Sequence, residues 1–267
     1  MKPNSTYKLI IASFMLFSVL ACNGTFTAAF PTATNPAPTG TAIILPPSAT
    51  PTPPATLSSV SLHEENTNPN YEVKAQVPTL DGNTDARVVN FNTAMLNLVN
   101  KEINAFKKNV SELPPSSVSP GSFLDVTYAL TLQKGDLWSF KFNFSGYSAG
   151  AAHPYLYGIT VNYDLGQGRQ LALSDLFLPN SNYLEVIAND CSAQLSKREI
   201  GFEAFSQGAA PTPENYRNWN ITTDGLMITF DEYQVAAYAA GPQTVVIPYS
   251  ELQAVINPEG PLASVIP

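Results

Sequence analysis

Strict alternation of hydrophobic and polar residues marks strands in the middle of the chain. From residue 125 to residue 132 every second position is hydrophobic, and after a turn at Gly135 the alternation resumes with aromatic residues from Trp138 to Phe144. Successive side chains of a strand point to opposite faces, so these two segments predict a hairpin with one aromatic, buried face. A third strand with the same alternation is predicted over residues 155–163.

Helical spacing of apolar residues marks the elements around this hairpin. Residues 85–110 carry an apolar residue every three or four positions, which predicts the longest helix, with Thr84 or Asp85 as its N-cap. Further strands are predicted over residues 59–64, 71–77, 219–223, 226–230 and 244–247, and further helices over residues 183–195 and 249–255. This order of elements predicts an α+β fold, an antiparallel sheet with two main covering helices.

The N-terminus has the features of an export signal. Lys2 and Lys8 precede an apolar run, Leu9 to Ala21, of 13 residues. That run is shorter than the roughly 20 residues that a bilayer-spanning helix needs. It ends in Val19-Leu20-Ala21-Cys22, which resembles the lipobox of bacterial lipoproteins. We therefore expect residues 1–22 to be a lipoprotein signal with Cys22 as the lipidation site; the alternative is an ordinary signal peptide in which Cys22 is incidental.

A Pro/Thr-rich segment separates this signal from the folded part. Residues 23–57 contain no acidic residue and alternate prolines with Thr, Ala and Ser, a composition that cannot bury a core. We expect a disordered, extended linker over residues 23–57. The remainder is divided into two predicted subdomains, a strand-helix-hairpin unit over residues 58–145 and a second unit over residues 146–262.

Charge and residue counts exclude several classes of function. Without Lys2 and Lys8, eleven basic and 21 acidic residues remain, a formal charge of −10, so a nucleic-acid partner is not expected. His63 and His153 are the only histidines, and paired Cys and His spacings are missing, so neither a metal site nor a cofactor is predicted. Cys191, the second cysteine, lies at helical spacing with apolar residues and is predicted to be a buried hydrophobic side chain rather than a nucleophile.

Two segments hold the candidate binding residues. The first runs from Gly146 to Pro154 and contains Gly150 and His153, followed by Tyr155 at the start of the next strand. His153 is either a general base or ligand donor, or a loop residue that holds the turn before Pro154 through a hydrogen bond. No catalytic residue is assigned, because the Gly-x-Ser-x-Gly pattern of a nucleophile elbow is missing.

The second segment runs from Phe230 to Pro242, directly after a predicted hairpin strand. Asp231 and Glu232 are adjacent, so in an extended chain their carboxylates point apart, which suits a glycosidase acid and base poorly. Tyr233 and Tyr238 offer flat rings and hydroxyls to a sugar or a protein, or they are core rings with satisfied hydroxyls.

These two segments resemble a known family. Gly150-Ala151-Ala152-His153-Pro154 followed by Leu171 to Phe177, then Phe230 to Gly241 and Val246 to Leu252, is similar to the domain that ends RsiV-type anti-sigma factors. The same domain occurs in PdaC-type peptidoglycan deacetylases, and its upstream companion resembles Val73 to Val110. The resemblance covers most of residues 58–262.

The resemblance implies an extracytoplasmic module of the bacterial cell envelope that binds a partner. The family binds lysozyme in RsiV-type proteins and accompanies a metal-dependent deacetylase domain in PdaC-type proteins, and neither a sigma-binding segment nor a deacetylase domain is recognised in this sequence. We therefore expect a lipid-anchored, noncatalytic binding module for a lysozyme-like cationic envelope protein or for peptidoglycan. The alternative is a hydrolase acting on envelope glycan or peptide.

Overall fold

The computed structural model describes residues 55–82, 84–113 and 121–266. The predicted signal with Cys22 and nearly all of the predicted linker lie outside the described residues. The first strand begins at Thr56, just inside the predicted linker, and ordered structure continues past residue 262 to a 3₁₀ turn at Pro261–Ser264. Among the described residues, no helix combines the length and apolarity needed to cross a bilayer.

The elements follow the predicted order, and the α+β fold class is confirmed. The strands are β1 Thr56–Thr67, β2 Asn70–Asp81, β3 Ser122–Lys134, β4 Leu137–Tyr147, β5 Tyr155–Asp164, β6 Arg169–Gln170, β7 Trp219–Ile221, β8 Gly225–Phe230 and β9 Gln243–Pro248. The α-helices are α1 Ala86–Ser111, α2 Tyr183–Leu195 and α3 Tyr249–Leu252. Short 3₁₀ turns at Leu173–Leu176, Phe202–Ala209, Pro213–Tyr216 and Tyr238–Ala240 connect the later elements.

The strands form two sheets rather than one. The larger sheet has the order β1-β2-β3-β4-β5-β6 and the smaller has the order β7-β8-β9. All pairs are antiparallel except β2 and β3, which run parallel because α1 carries the chain back across the sheet between them. The sequence predicted the strands but not this parallel pair, because the crossover depends on which strands become neighbours.

Helix α1 covers one face of the larger sheet and forms the first hydrophobic core. The Asp85 side chain caps it by accepting a hydrogen bond from the Arg87 amide at 2.8 Å, as the sequence predicted for the N-cap. The apolar side of α1 packs on the aromatic face of β4, where Phe140, Phe142 and Phe144 are fully buried. Phe91 of α1 lies 5.6 Å from the Phe140 ring centroid. Burial of this aromatic face holds helix and sheet together.

A bulge changes the expected face of β3 near its end. The pairing with β4 shifts between Leu130 and Leu132, so one extra residue is inserted at Thr131. Leu130 is 38% exposed, whereas Leu132 packs into the second core. Simple alternation predicted that both leucines lie on one buried face.

The second hydrophobic core lies between the smaller sheet and α2. Ile187, Cys191 and Leu195 of α2 are buried there, together with Ile228 and Val245 of the smaller sheet. Cys191 is therefore a buried apolar side chain, as predicted. The predicted subdomain boundary at residue 145 stays a prediction; strand β5, which follows that boundary, contributes Val161 and Tyr163 to the first core.

The surfaces by which the two sheets face each other are polar. Alternation along β4 and β5 turns Ser139, Lys141 and Asn162 away from α1, and the register of the smaller sheet turns Asn220 and Thr229 toward them. We call this layer the polar seam, made of Thr131, Ser139, Lys141, Asn143, Gly158, Thr160, Asn162, Asn220, Thr229 and Thr244. Each sheet thus has a hydrophobic core on its outer face and shares a polar layer on its inner face.

Candidate functional site

The loop between β4 and β5 is a tight turn that requires glycine. Gly150 has a φ of 90°, in the left-handed region that side chains disfavour. Within the loop, the Ala151 amide donates to the Ser148 carbonyl at 2.9 Å and the Tyr147 hydroxyl donates to the Ala151 carbonyl at 3.2 Å. These bonds fix the loop so that its last residues, His153 and Pro154, lie at the surface.

His153 is exposed and bonded to its own turn. Its Nδ1 lies 2.8 Å from the Pro154 carbonyl oxygen, and because a carbonyl only accepts, Nδ1 carries the proton. The Tyr238 hydroxyl donates to the same carbonyl at 3.1 Å. The hydrogen bond to the neighbouring backbone is the contact expected if His153 holds the turn before Pro154, and the ring lies against that of Tyr238.

His153, Tyr233 and Tyr238 form one row of rings, which we call the aromatic surface. The His153 and Tyr238 ring centroids are 4.2 Å apart, and those of Tyr238 and Tyr233 are 5.6 Å apart. Tyr233 is 58% exposed and has a φ of 65°, a backbone conformation that a bulky residue adopts only at a cost of about 1 to 3 kcal/mol. Tyr233 is the third residue of a turn that the Gln234 amide closes on the Asp231 carbonyl at 3.1 Å, a position that glycine or asparagine usually takes when φ is positive.

Asp231 and Glu232 both reach the outer edge of β5. Oδ1 of Asp231 accepts from the Gly158 amide at 3.1 Å, and Oε2 of Glu232 lies 3.4 Å from the Leu156 amide. The expectation that these carboxylates point apart was made for an extended chain, and here the chain turns after Phe230 so that both carboxylates reach the same strand. They cap backbone donors on a sheet edge that β6 covers only at Tyr163 and Asp164.

The Asp231 carboxylate is fully engaged in the structure. Its other oxygen, Oδ2, accepts from Arg217 at 2.5 Å and from Asn218 at 3.2 Å. Asp231 thus ties the smaller sheet to the edge of the larger sheet, and its oxygens have little capacity left for a ligand. It serves the site by positioning the segment that carries Tyr233.

Tyr155 lies apart from the aromatic surface. Its ring stacks with Tyr157 at 6.1 Å, on the α1 side of the larger sheet, and a side chain at Gly146 would come within 2.3 Å of the Tyr155 hydroxyl oxygen. Burial raises the pKa of Tyr155. Of the seven residues predicted to bind, the structure brings Tyr233, Tyr238 and His153 together, places Gly150 in the adjoining loop and Asp231 and Glu232 beside them, and separates Tyr155.

The remaining polar and nucleophilic groups add little chemistry to this surface. Burial raises the pKa of the Cys191 thiol, which keeps it protonated and unreactive. Nε2 of His63 lies 3.2 Å from carboxylate oxygens of Glu65 and Glu72, the one group in the described ranges whose spacing suits a metal ion. The Lys74 ammonium already pairs with Glu72 at 2.6 Å there, and all these side chains are largely exposed, so the group is an ordinary surface ion cluster.

Two polar seam residues were missed from the sequence. Lys141 and Thr229 line a cavity between the sheets. The sequence does contain a signal for Lys141, because it is a lysine on the polar face of a strand whose other face is wholly aromatic. Thr229 gave no signal, because only the register of the smaller sheet turns it inward.

Sequence comparison places these features in a family context. Residues 174–250 match the model of a family described as a protein of unknown function, DUF3298. The peptidoglycan-N-acetylmuramic acid deacetylase PdaC of Bacillus subtilis (strain 168) is 27% identical over 188 residues, 66% of this chain and 40% of that protein. Immunogenic protein MPT64 of Mycobacterium tuberculosis (strain ATCC 25618 / H37Rv) is 25% identical over 109 residues, 41% of this chain and 48% of that protein. The chain therefore spans less than half the length of either relative.

Two crystal structures share the fold. A DUF3298 family member from Bacteroides fragilis NCTC 9343 aligns with a TM-score of 0.61 at 18% identity, over 81% of this chain and 98% of that one. A DUF3298 family protein from Pseudomonas aeruginosa PAO1 aligns with a TM-score of 0.57 at 14% identity, over 78% of this chain and 96% of that one. The RsiV-type label stays a prediction. The resemblance to PdaC is confirmed, residues 174–250 match the DUF3298 family model, and the chain shares its fold with solved DUF3298 proteins.

Proposed function

We propose that this protein is a noncatalytic binding module of the bacterial cell envelope that holds the glycan of peptidoglycan on its aromatic surface. The row formed by His153, Tyr238 and Tyr233 carries the proposal. Flat rings bind the apolar faces of sugar rings, and the exposed polar tips of Tyr and His bond to hydroxyls. The left-handed conformation of Tyr233 supports a functional role, because strained backbone at an exposed ring is typical of binding sites.

The comparisons support the choice of ligand. PdaC is named as a deacetylase of peptidoglycan N-acetylmuramic acid, and its similarity to this chain extends over 66% of the chain. A related module on this chain would serve the same polymer at the cell envelope. The predicted lipid on Cys22 would hold the module at a membrane, with the linker of residues 23–57 giving it reach.

The test is cosedimentation of the full-length protein, in mild detergent, with purified peptidoglycan. We expect wild type to sediment with the polymer, and Tyr233→Ala and Tyr238→Ala to bind about three- to ten-fold more weakly, because an aromatic contact contributes about 0.5 to 1.5 kcal/mol. Val89→Ala is the matched control. Val89 is 50% exposed and lies on α1, which contributes no residue to the aromatic surface. Equal losses in the control and the tyrosine variants would remove the aromatic surface from the proposal.

A hydrolase is the competing class, and the same samples decide it. Sugars and amines released during incubation are assayed after sedimentation. Sustained release that scales with protein concentration would replace the binding module by an enzyme. A bound protein with no release supports the proposal.

A cationic envelope protein such as a lysozyme is the second candidate partner. The observation that favours it is the formal charge of −10 outside the first 57 residues. Complementary charge raises the rate of encounter and is screened by salt. Titration with a lysozyme at low and physiological salt should then give salt-sensitive association, and failure to associate at low salt would eliminate this partner.

Membrane attachment is tested through Cys22. We expect wild type to fractionate with membranes and to be released by detergent, and Cys22→Ser to lose that attachment. A Cys22→Ser protein that still fractionates with membranes would show that the lipobox was misassigned.

A further inference from the structure

A cavity of about 180 Å³ opens between the two sheets at one end of the polar seam. Lys141 and Gly158 line it from the larger sheet, and Thr229 and Thr244 line it from the smaller sheet. A water molecule takes up about 30 Å³ of liquid, so this space holds about six waters or one small polar ligand. It is too small for a disaccharide, and none of the rings of the aromatic surface lines it.

Lys141 supplies a positive charge that forms no hydrogen bond or ion pair with another described residue. Burial lowers the pKa of its ammonium. Asp231 is the acidic group that acts on it, but Asp231 is already bonded to Arg217, Asn218 and the Gly158 amide. A partly buried ammonium costs stability unless something bonds to it.

Thr229 supplies a second unpartnered group. It is 2% exposed, and its Oγ1 has no hydrogen-bond partner in the described part of the chain. Buried side-chain hydroxyls are nearly always bonded, and an orphan costs about 1 to 3 kcal/mol. Thr229 and Lys141 line the same cavity from opposite sheets.

Gly158 keeps the cavity open between these two groups. A Cβ at this position would lie 3.9 Å from Cε of Lys141 and 4.0 Å from Oδ1 of Asp231. Those are ordinary van der Waals contacts, so alanine fits there without strain and takes up space beside the lysine.

We propose that this cavity binds the carboxylate of a small ligand, with the Lys141 ammonium and the Thr229 hydroxyl as its hydrogen-bond donors. An ammonium has no acceptor, so the ligand group must accept. Arg217 already pairs with Asp231, so the Lys141 ammonium compensates one negative charge on the ligand. This favours a carboxylate over a phosphate dianion. The site is independent of the proposed glycan function, because it uses other residues on the inner face of the sheets.

The test is titration of the full-length protein with N-acetylglycine and with its neutral amide as the matched probe. We expect the acid to bind in the millimolar range, as single charge-assisted contacts do, and the amide not to bind. Lys141→Met should weaken binding at least about ten-fold, and Thr229→Val and Gly158→Ala about three-fold. Lys101→Met is the control, because the Lys101 side chain is 83% exposed on α1.

A measurement on wild type guards against variants that do not fold. The acid should raise the pKa of the Lys141 ammonium, followed by NMR of labelled lysine side chains, since a bound anion favours the charged form. Equal binding of acid and amide, an unmoved Lys141 signal on binding, or an equal loss in Lys101→Met would overturn the proposal. Binding of inorganic phosphate without the acid would also overturn it. Peptidoglycan cosedimentation of Tyr233→Ala is unaffected by these outcomes, so the two proposals fail separately.

Discussion

The two ends of the polar seam contain similar residue types and differ in how completely they are bonded. At the closed end, Ser139 (0% exposed), Asn162 (1%) and Asn220 (0%) are buried, and each bonds to a neighbouring strand. The Asn162 side chain accepts from the Ser139 hydroxyl at 2.6 Å and from the Ile221 amide at 3.1 Å. At the open end, Lys141 and Thr229 face a cavity with no partner among the described residues.

The polar groups of the closed end hold the two sheets together, and those of the open end do not. The closed end fixes β7 to the larger sheet, because side chains of one sheet bond to the backbone of the other, including Asn162 to the Trp219 carbonyl at 2.8 Å. Such a network specifies a single arrangement of the sheets, and in the described part of the chain only the Asn220 Oδ1 of these three side chains accepts no hydrogen bond. Unpaired donors at the open end lower the stability of the fold and bond no other part of it. Such donors are typical of a binding site.

The largest effect is expected from breaking the closed end. Asn162→Ala removes the partner of the Ser139 hydroxyl, the Ile221 amide and the Trp219 carbonyl, all in buried surroundings. We expect the free energy of unfolding, measured by urea denaturation, to fall by about 3 kcal/mol. Asn143→Ala is the control at the open end, where the exposed side chain should matter by less than about 0.5 kcal/mol. Similar losses in both variants would contradict the contrast between the ends.

A matched pair of threonine substitutions tests the same contrast with opposite signs. The Thr131 hydroxyl lies 2.7 Å from Ser139 Oγ and bonds across the seam, whereas Thr229 Oγ1 is unpartnered. Thr131→Val should lower the free energy of unfolding by about 1 kcal/mol, because it leaves its partners unbonded. Thr229→Val should leave it unchanged or raise it by up to about 1 kcal/mol, because only an orphan hydroxyl is removed. The measurement is thermal or urea unfolding, and a loss in Thr229→Val equal to that in Thr131→Val would mean that Thr229 has a structural partner.

The smallest effect concerns the charge of Lys141 and depends on pH. Burial lowers the pKa of Lys141 in the folded protein below the ordinary value of 10.5, which the unfolded chain keeps. Between the two pKa values the unfolded state binds more protons, so the free energy of unfolding rises with pH in that window. Wild type should therefore be less stable than Lys141→Met at about pH 7, and the difference should shrink toward pH 10.5.

Other titrating groups cancel in this comparison, because both proteins contain them. Lys101→Met, which removes an ammonium that is 83% exposed, should show no such convergence with pH. A difference between wild type and Lys141→Met that stays constant over this range would mean that Lys141 is not desolvated. Asp231 is the charged group acting on Lys141, so the same series in Asp231→Asn measures its share.

The sequence by itself determined the elements and their buried faces. The aromatic alternation of β4 and the three- to four-residue spacing of α1 predicted one face of each, and burial of Phe140 and Phe91 follows that pattern. Asp85 was identified as a candidate cap because a side-chain oxygen before a helix satisfies its free amides. These are local properties, set by the period of the backbone, so a single strand or helix is enough to reveal them.

Only the tertiary structure decided how the elements combine and where polar groups meet. The parallel pairing of β2 with β3 and the division into two sheets depend on which strands become neighbours. The bulge at Thr131 turned Leu132 away from the predicted face and into the second core. Lys141 and Thr229 are 88 positions apart in the numbering and line one cavity only because two sheets turn their polar faces inward. Periodicity predicts which face of a strand is polar, but contact between two polar faces is set by the packing of both cores at once, and no single segment of sequence contains that information.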